Sequence, residues 1–186
     1  MTTTKINKRT FTAHLYLGGR PVVLNQQRLQ KVLLDLRITQ GEQLDAEVGL
    51  ADQRISSSIT LAGHEDDKPL VLKFVPHNDV YSISLVHAGE FDGARLFIEE
   101  ETHNLLASTS AAVQYFSIST YGALKASLSD IEAGPAYVGL STEPNGKPVY
   151  PYSYSGVSTF MNVDPNKTGH NAFRNKPAKF VIKVVK

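Results

Sequence analysis

Alternation of apolar and other residues along short segments is the feature that most constrains how this sequence can fold. Phe11, Ala13, Leu15 and Leu17 occupy every second position of TFTAHLYL. A period of two places successive side chains on opposite faces of a β-strand, whereas a helix has a period of 3.6. Comparable alternation recurs in PLVLKFV, VYSISLVH, QYFSIST, AYVGLST and KFVIKVV. The sequence therefore predicts a protein built mostly from short strands.

Turn-forming residues separate these segments and predict hairpins. PHND, residues 76–79, lies between PLVLKFV and VYSISLVH, and its proline, asparagine and aspartate favour a turn. Asp92-Gly93 and Asn145-Gly146 are dipeptides that readily adopt the two positive φ angles of a type I′ turn. Many short strands separated by turns favour a sandwich or a barrel over alternating strand–helix units.

The predicted fold class is all-β, a compact antiparallel barrel or sandwich with at most one or two short helices. Residues 25–38 fit the helical period as well as the strand period, and residues 97–108 carry three glutamates suited to a first helical turn. An aromatic residue, one further residue and then isoleucine recur in 80–84, 115–119 and 179–183. This weak repeat favours a β-trefoil, with a sandwich or jelly roll as the alternatives.

Length and composition limit the domain organisation, the partners and the location that can be expected of this protein. The 186 residues are enough to bury one sizeable core, so we expect a flexible N-terminal segment, 1–10, and a single β-rich domain, 11–186. A net charge of +1 indicates no nucleic-acid partner, and no apolar run approaches the roughly 20 residues that span a bilayer. The chain has no cysteine and its first residues lack the apolar segment of a secretory signal, so a cytoplasmic location is expected.

No catalytic motif is present, and no cofactor is expected. The sequence contains no glycine-rich phosphate loop, no G-x-S-x-G and no H-E-x-x-H. A β scaffold could bring His77, His87, Glu99 and His103 together as an imidazole and carboxylate metal site. No spacing requires this cluster, and histidines scattered over the surface are the simpler interpretation.

The tyrosines of KPVYPYSYS form the strongest candidate site. In an extended chain Tyr150, Tyr152 and Tyr154 project to one face, and Pro151 restricts the segment to an edge strand or a loop. Tyrosine, serine and asparagine together are typical of binding surfaces. The candidate ligand-binding residues are these three tyrosines and four polar residues of the following connection, Asn162, Asp164, Asn171 and Arg174. A row of tyrosines packed against neighbouring strands is the structural alternative.

The functional hypothesis is a non-enzymatic binding protein, lectin-like or another ligand-binding β module, whose partner is a carbohydrate or a protein. Two alternatives remain open. One is a protein–protein interaction module, either a protease inhibitor or a structural subunit of an assembly; the other is a metal-dependent β-barrel enzyme built on the histidines. The sequence specifies no oligomeric state.

Overall fold

Short antiparallel strands make up most of the protein. The computed structural model describes residues 9–165 and 176–186. Their strands are β1 Phe11–Leu17, β2 Arg20–Leu24, β3 Ile59–Leu61, β4 Val71–His77, β5 Val80–Val86, β6 Arg95–Ile98, β7 Leu105–Ser108, β8 Tyr115–Ser119, β9 Ala136–Glu143, β10 Lys147–Pro148, β11 Tyr150–Tyr154, β12 Val157–Met161 and β13 Phe180–Val185. The α-helices are α1 Asn25–Leu34, α2 Gln40–Ala51 and α3 Gln53–Ser56.

Six strands close into a barrel. The order around it is β1, β4, β5, β8, β9 and β13, and β13 pairs back with β1; every pairing is antiparallel. Ala13 lies at the closure, opposite Val184 on β13 and opposite Leu72 on β4. The prediction of a compact antiparallel all-β fold is confirmed.

Three hairpins, β2–β3, β6–β7 and β11–β12, are joined to one another as a cap on the barrel. Each is the middle of a unit that begins and ends with a barrel strand, so the chain runs through three units, β1–β4, β5–β8 and β9–β13. Single β-bridges connect the hairpins pairwise: Thr60–Thr159, Ser58–Leu106 and Asn104–Met161. A six-stranded barrel capped by three hairpins in this connectivity is a β-trefoil.

The first hairpin carries all three α-helices between β2 and β3, one more helix than the one or two predicted. Helix α1 forms the first part of the segment 25–38, which fits both periods, and ends at Leu34. Helix α2 begins at a capping box: Thr39 Oγ1 accepts from the Glu42 N–H at 3.2 Å, and the Thr39 N–H donates to Glu42 Oε2 at 2.7 Å. Leu29 packs closely against Gly49, where an added Cβ would lie 2.9 Å from Leu29 Cδ1.

Residues 97–108 form no helix, so the short helix predicted there is wrong. The segment ends β6, turns and returns as β7. His103 has a φ of 59°, and backbone hydrogen bonds from Glu99 to Asn104 (3.0 Å) and from His103 to Glu99 (2.8 Å) close the turn. Pairing in the hairpin buries Leu105 and Leu106, which a short exposed helix would not achieve.

Aromatic side chains fill the interior. The rings of Phe11 and Phe74 stack with centroids 4.8 Å apart, and each meets the Tyr81 ring edge-on, at 5.7 and 6.1 Å. Phe160 of the third hairpin packs against Phe180 of β13 at 5.2 Å. The same buried cluster therefore extends from the barrel into the cap.

We predict that Phe74→Ala lowers the free energy of unfolding by about 3–5 kcal/mol, because the fully buried ring leaves a cavity among Phe11 and Tyr81. Urea denaturation followed by circular dichroism measures the change. Tyr121→Ala, which removes a fully exposed ring, is the control and should alter stability by less than about 0.5 kcal/mol. A loss under about 1 kcal/mol for Phe74→Ala would contradict its place in the core.

Candidate functional site

The tyrosine-rich segment forms one strand of the third hairpin. β11 pairs with β12 along its whole length, and Ser155 and Gly156 make the two-residue turn. Both turn residues have positive φ, 48° and 77°, as a type I′ turn requires. Among the described strands β11 pairs with β12 alone, so it lies at the edge of the sheet as predicted.

Pro151 suits this edge because its backbone nitrogen points away from β12. In a two-residue hairpin the residues beside the turn, Tyr154 and Val157, form a hydrogen-bonded pair, and bonded and non-bonded pairs alternate along the strands. Pro151, opposite Phe160, belongs to a non-bonded pair. The hairpin therefore loses no hydrogen bond to the proline, and the outer edge offers one donor fewer to another chain.

The three tyrosines share the outward face of β11. Pro151 lies across from buried Phe160, so the alternate side chains turn away from the core. Tyr150 is half-buried, Tyr152 is 36% exposed and Tyr154 is 69% exposed. Exposure thus increases toward the tip of the hairpin, and the open part of the row is at Tyr152 and Tyr154.

Of the four polar candidates, Asn162 and Asp164 lie within the described residues. Asn162 is buried, its Nδ2 donates to Thr142 Oγ1 at 3.2 Å, and its backbone N–H donates to the His103 carbonyl at 3.2 Å. Asp164 is half-buried just beyond β12. Asn171 and Arg174 lie outside the described residues.

Tyr154 borders an open cleft of about 330 Å³, here termed the cap cleft, to which all three hairpins contribute. Its volume lies within the range of small-molecule sites. The side chains that can form hydrogen bonds there are Asn25, Arg28, Arg54, Ser58, Glu99, Thr102, Asn104, Tyr154, Ser155 and Thr159.

An ion-pair network joins the first and second hairpins at this cleft. Arg54 on α3 contacts Glu99 Oε1 at 2.6 Å and Glu101 Oε2 at 3.1 Å, and Thr102 Oγ1 also donates to Glu99. Partial burial raises the pKa of Glu99, but the hydrogen bonds from Arg54 and Thr102 and the charge of Arg54 outweigh it, so this pKa lies below its usual value. The same hydrogen bonds to Glu99 and Glu101 raise the pKa of Arg54. Glu99 is held as a carboxylate facing the cleft.

Asn25 and Arg28 bring a second polar pair to the cap cleft. Buried Asn25 donates from Nδ2 to the Ile55 carbonyl at 3.0 Å and accepts from Arg28 Nε at 2.8 Å through Oδ1. Burial lowers the pKa of the Arg28 guanidinium. Asn25 binds Arg28 through Nε, and no other described residue accepts a hydrogen bond from the terminal nitrogens of Arg28, which can therefore bind a ligand. The cleft therefore presents carboxylate, guanidinium, amide and hydroxyl groups beside an exposed aromatic ring.

The histidines considered as metal ligands do not converge. His77 Nε2 is 3.3 Å from Ser82 Oγ, and the His77 ring meets Tyr115 with centroids 4.9 Å apart. His87 follows β5, and His103 is in the β6–β7 turn. Within residues 9–165 and 176–186, no group of three His, Cys, Asp or Glu side chains is placed to hold a metal ion.

The polar members of the cap cleft carry weak sequence signals. Arg28 and Arg54 match no motif, and Arg54 meets Glu99 only through the bridging of two hairpins. Glu99 stands in an acidic run that on its own is typical of a solvated turn. The glycine turn after Tyr154 is the one local pattern that marks the tip of a hairpin there.

Comparison with protein-family models, with curated proteins and with solved structures found no match to this chain. In the part of the chain that the structure describes, no helix is both long and apolar enough to cross a membrane.

We predict that Glu99→Gln lowers the free energy of unfolding by about 0.5–1 kcal/mol at pH 7, because Arg54 loses a carboxylate partner. A lowered folded-state pKa stabilises the protein above the unfolded value of about 4.5, and this contribution is lost as the pH falls through the folded-state pKa. The difference between wild type and variant should therefore disappear in acid, as measured by urea denaturation from pH 7 to pH 3.

Glu100→Gln is the matched control, since it makes the same charge change in an exposed residue of the same turn. We expect it to alter stability at pH 7 by less than about 0.5 kcal/mol. A Glu99→Gln difference that is constant across the pH range would contradict the ion-pair explanation.

Proposed function

We propose that this protein is a non-enzymatic binding protein and that the cap cleft, together with the exposed tyrosines of β11, binds a carbohydrate. The observation that carries the proposal is the position of Tyr154. Its ring is largely exposed and borders a cleft to which all three hairpins contribute hydrogen-bonding side chains.

Carbohydrate chemistry suits this combination of groups. A sugar ring has an apolar face of C–H groups, which packs on an aromatic ring, and a rim of hydroxyls, which both donate and accept hydrogen bonds. Tyr154 supplies the aromatic surface. Glu99 accepts from hydroxyls, and Arg28 and Asn104 donate to them.

The cleft is also held in shape before a ligand arrives. The Arg54–Glu99 contact ties two hairpins together, Asn25 orients Arg28, and the type I′ turn fixes the position of Tyr154. Side chains already held in place lose less conformational entropy on binding. This supports a binding role more strongly than the composition of the tyrosine segment does alone.

A second candidate function, protein–protein interaction, is favoured by the helical insertion. Leu34, Leu36, Leu44 and Val48 are large apolar side chains that are all more than half exposed. Several large apolar side chains exposed in one insertion support a protein-binding surface if they adjoin one another. Co-purification of a protein partner that is lost with Leu44→Glu but kept with Tyr154→Ala would favour this function over carbohydrate binding.

We predict that Tyr154→Ala weakens carbohydrate binding about tenfold or more, because the stacking surface beside the cleft is removed. A glycan array identifies the sugar, and isothermal titration calorimetry measures its affinity for wild type and variant. Tyr152→Ala should weaken binding less, since Tyr152 does not line the cleft.

Tyr121→Ala is the control, because it removes a fully exposed tyrosine from a loop outside the third hairpin. Its affinity should equal that of the wild type. Unchanged binding by a folded Tyr154→Ala protein, or no glycan bound by the wild type, would remove the carbohydrate proposal.

A further inference from the structure

A second cleft, of about 670 Å³, also has Arg28 in its lining and is here termed the insertion cleft. Helix α1 and the residues that follow it form one wall. The segment after β3 and the turn of the third hairpin, at Gly156 and Val157, complete it. Arg28 lines both clefts, but Arg20 and Val32 belong to the insertion cleft and not to the cap cleft.

Some of the charged residues that line the insertion cleft form ion pairs with one another, and others do not. Lys31 forms an ion pair with Asp67, which removes one charge of each sign. Arg37 likewise pairs with Asp35 through Nε at 3.1 Å. Two arginines, Arg20 and Arg28, then remain in the cleft against the single exposed carboxylate of Asp66.

Neither remaining arginine has a carboxylate partner among the described residues. Arg20 donates from one terminal nitrogen to the Ala62 carbonyl at 3.5 Å, and Arg28 donates from Nε to Asn25. Both side chains are half-buried, and burial lowers the pKa of Arg28. An anion in the cleft would give these guanidinium groups the charge-assisted hydrogen bonds that no carboxylate of the described residues supplies.

The rest of the insertion cleft is largely apolar. Val32, Leu34 and Ile38 come from α1 and the connection after it, and Leu61 and Val157 come from β3 and β12 of the capping hairpins. Leu34 is 79% exposed, although it borders a concave surface. A ligand with an apolar body would cover this wall while its anionic group reaches the arginines.

We propose that the insertion cleft binds a small organic anion, a carboxylate carried on an apolar chain. The planar guanidinium groups match the two oxygens of a carboxylate, and a chain of about eight carbons fits easily in the volume. Arg28 and Val157 border both clefts, but Arg20 and the other apolar residues of the insertion cleft do not line the cap cleft, so the two proposals can be tested separately.

Octanoate is the probe, and isothermal titration calorimetry with the full chain is the measurement. Octanamide keeps the apolar chain without the charge, and acetate keeps the charge without the chain. We expect octanoate to bind at least tenfold more tightly than either analogue, since both groups contribute.

Arg20→Met removes one positive charge from the insertion cleft and leaves the residues that line the cap cleft unchanged. This substitution should weaken octanoate binding about tenfold. Arg28→Met should have a similar effect, and Arg28→Lys should restore part of it. Arg95→Met is the matched control: Arg95 lies on β6, donates to the Ala111 carbonyl and lines neither cleft, so octanoate affinity should be unchanged.

Octanamide binding as tightly as octanoate would overturn the proposal, because the arginines would then contribute nothing. Absence of octanoate binding at millimolar concentration would overturn it as well, as would full affinity in a folded Arg20→Met protein. Should both arginine variants fail to fold, the comparison of octanoate with octanamide on the wild type decides the matter.

Discussion

The pairing of the first strand with the last is the constraint on which the rest of the structure depends. β1 lies between β13 and β4, and Ala13 has a cross-strand neighbour on each side. Because this pairing closes the barrel, strands from both ends of the chain must be in place before the interior is sealed. Closure also removes two free strand edges, which would otherwise be open to pairing with another chain.

Closure of the barrel also fixes where the hairpins meet. In each unit the first and the last strand belong to the barrel, and strands between them form a hairpin. The three hairpins therefore converge and bridge one another. Residues that are distant in sequence, such as Asn25, Glu99 and Tyr154, thereby line one cleft. The Arg54–Glu99 ion pair depends on this convergence, because α3 and the β6–β7 turn belong to different units, which meet where the hairpins bridge one another.

Much of the fold follows from local patterns in the sequence, and the exceptions have identifiable causes. Alternation predicts β1, and the PHND turn predicts the β4–β5 hairpin that forms around Asn78. The aromatic-x-Ile repeat favours a β-trefoil, which is the observed fold. The repeat does not mark equivalent strands, however, because β5 begins a unit whereas β8 and β13 each end one. Helix α2 has weak periodicity, and only the Thr39 and Glu42 capping box could have marked its start. Sequence alone leaves residues 25–38 ambiguous, because the contact of Leu29 with Gly49 that supports a helix is tertiary.

The candidate sites are less predictable than the fold because they depend on pairs of residues from different units. Alternation and Pro151 predict that the tyrosines share one face of an edge strand or a loop, but they do not show whether that face is exposed. No local pattern could show that Arg54 is neutralised by Glu99 whereas Arg20 and Arg28 have no carboxylate partner among the described residues. The barrel core is built mainly from strand residues, and the apolar residues that the helices bury are Leu29 and Ala46, neither of which belongs to the main core cluster. The helices therefore contribute little to the core. Arg28 on α1 is only half-buried, and it lines both clefts.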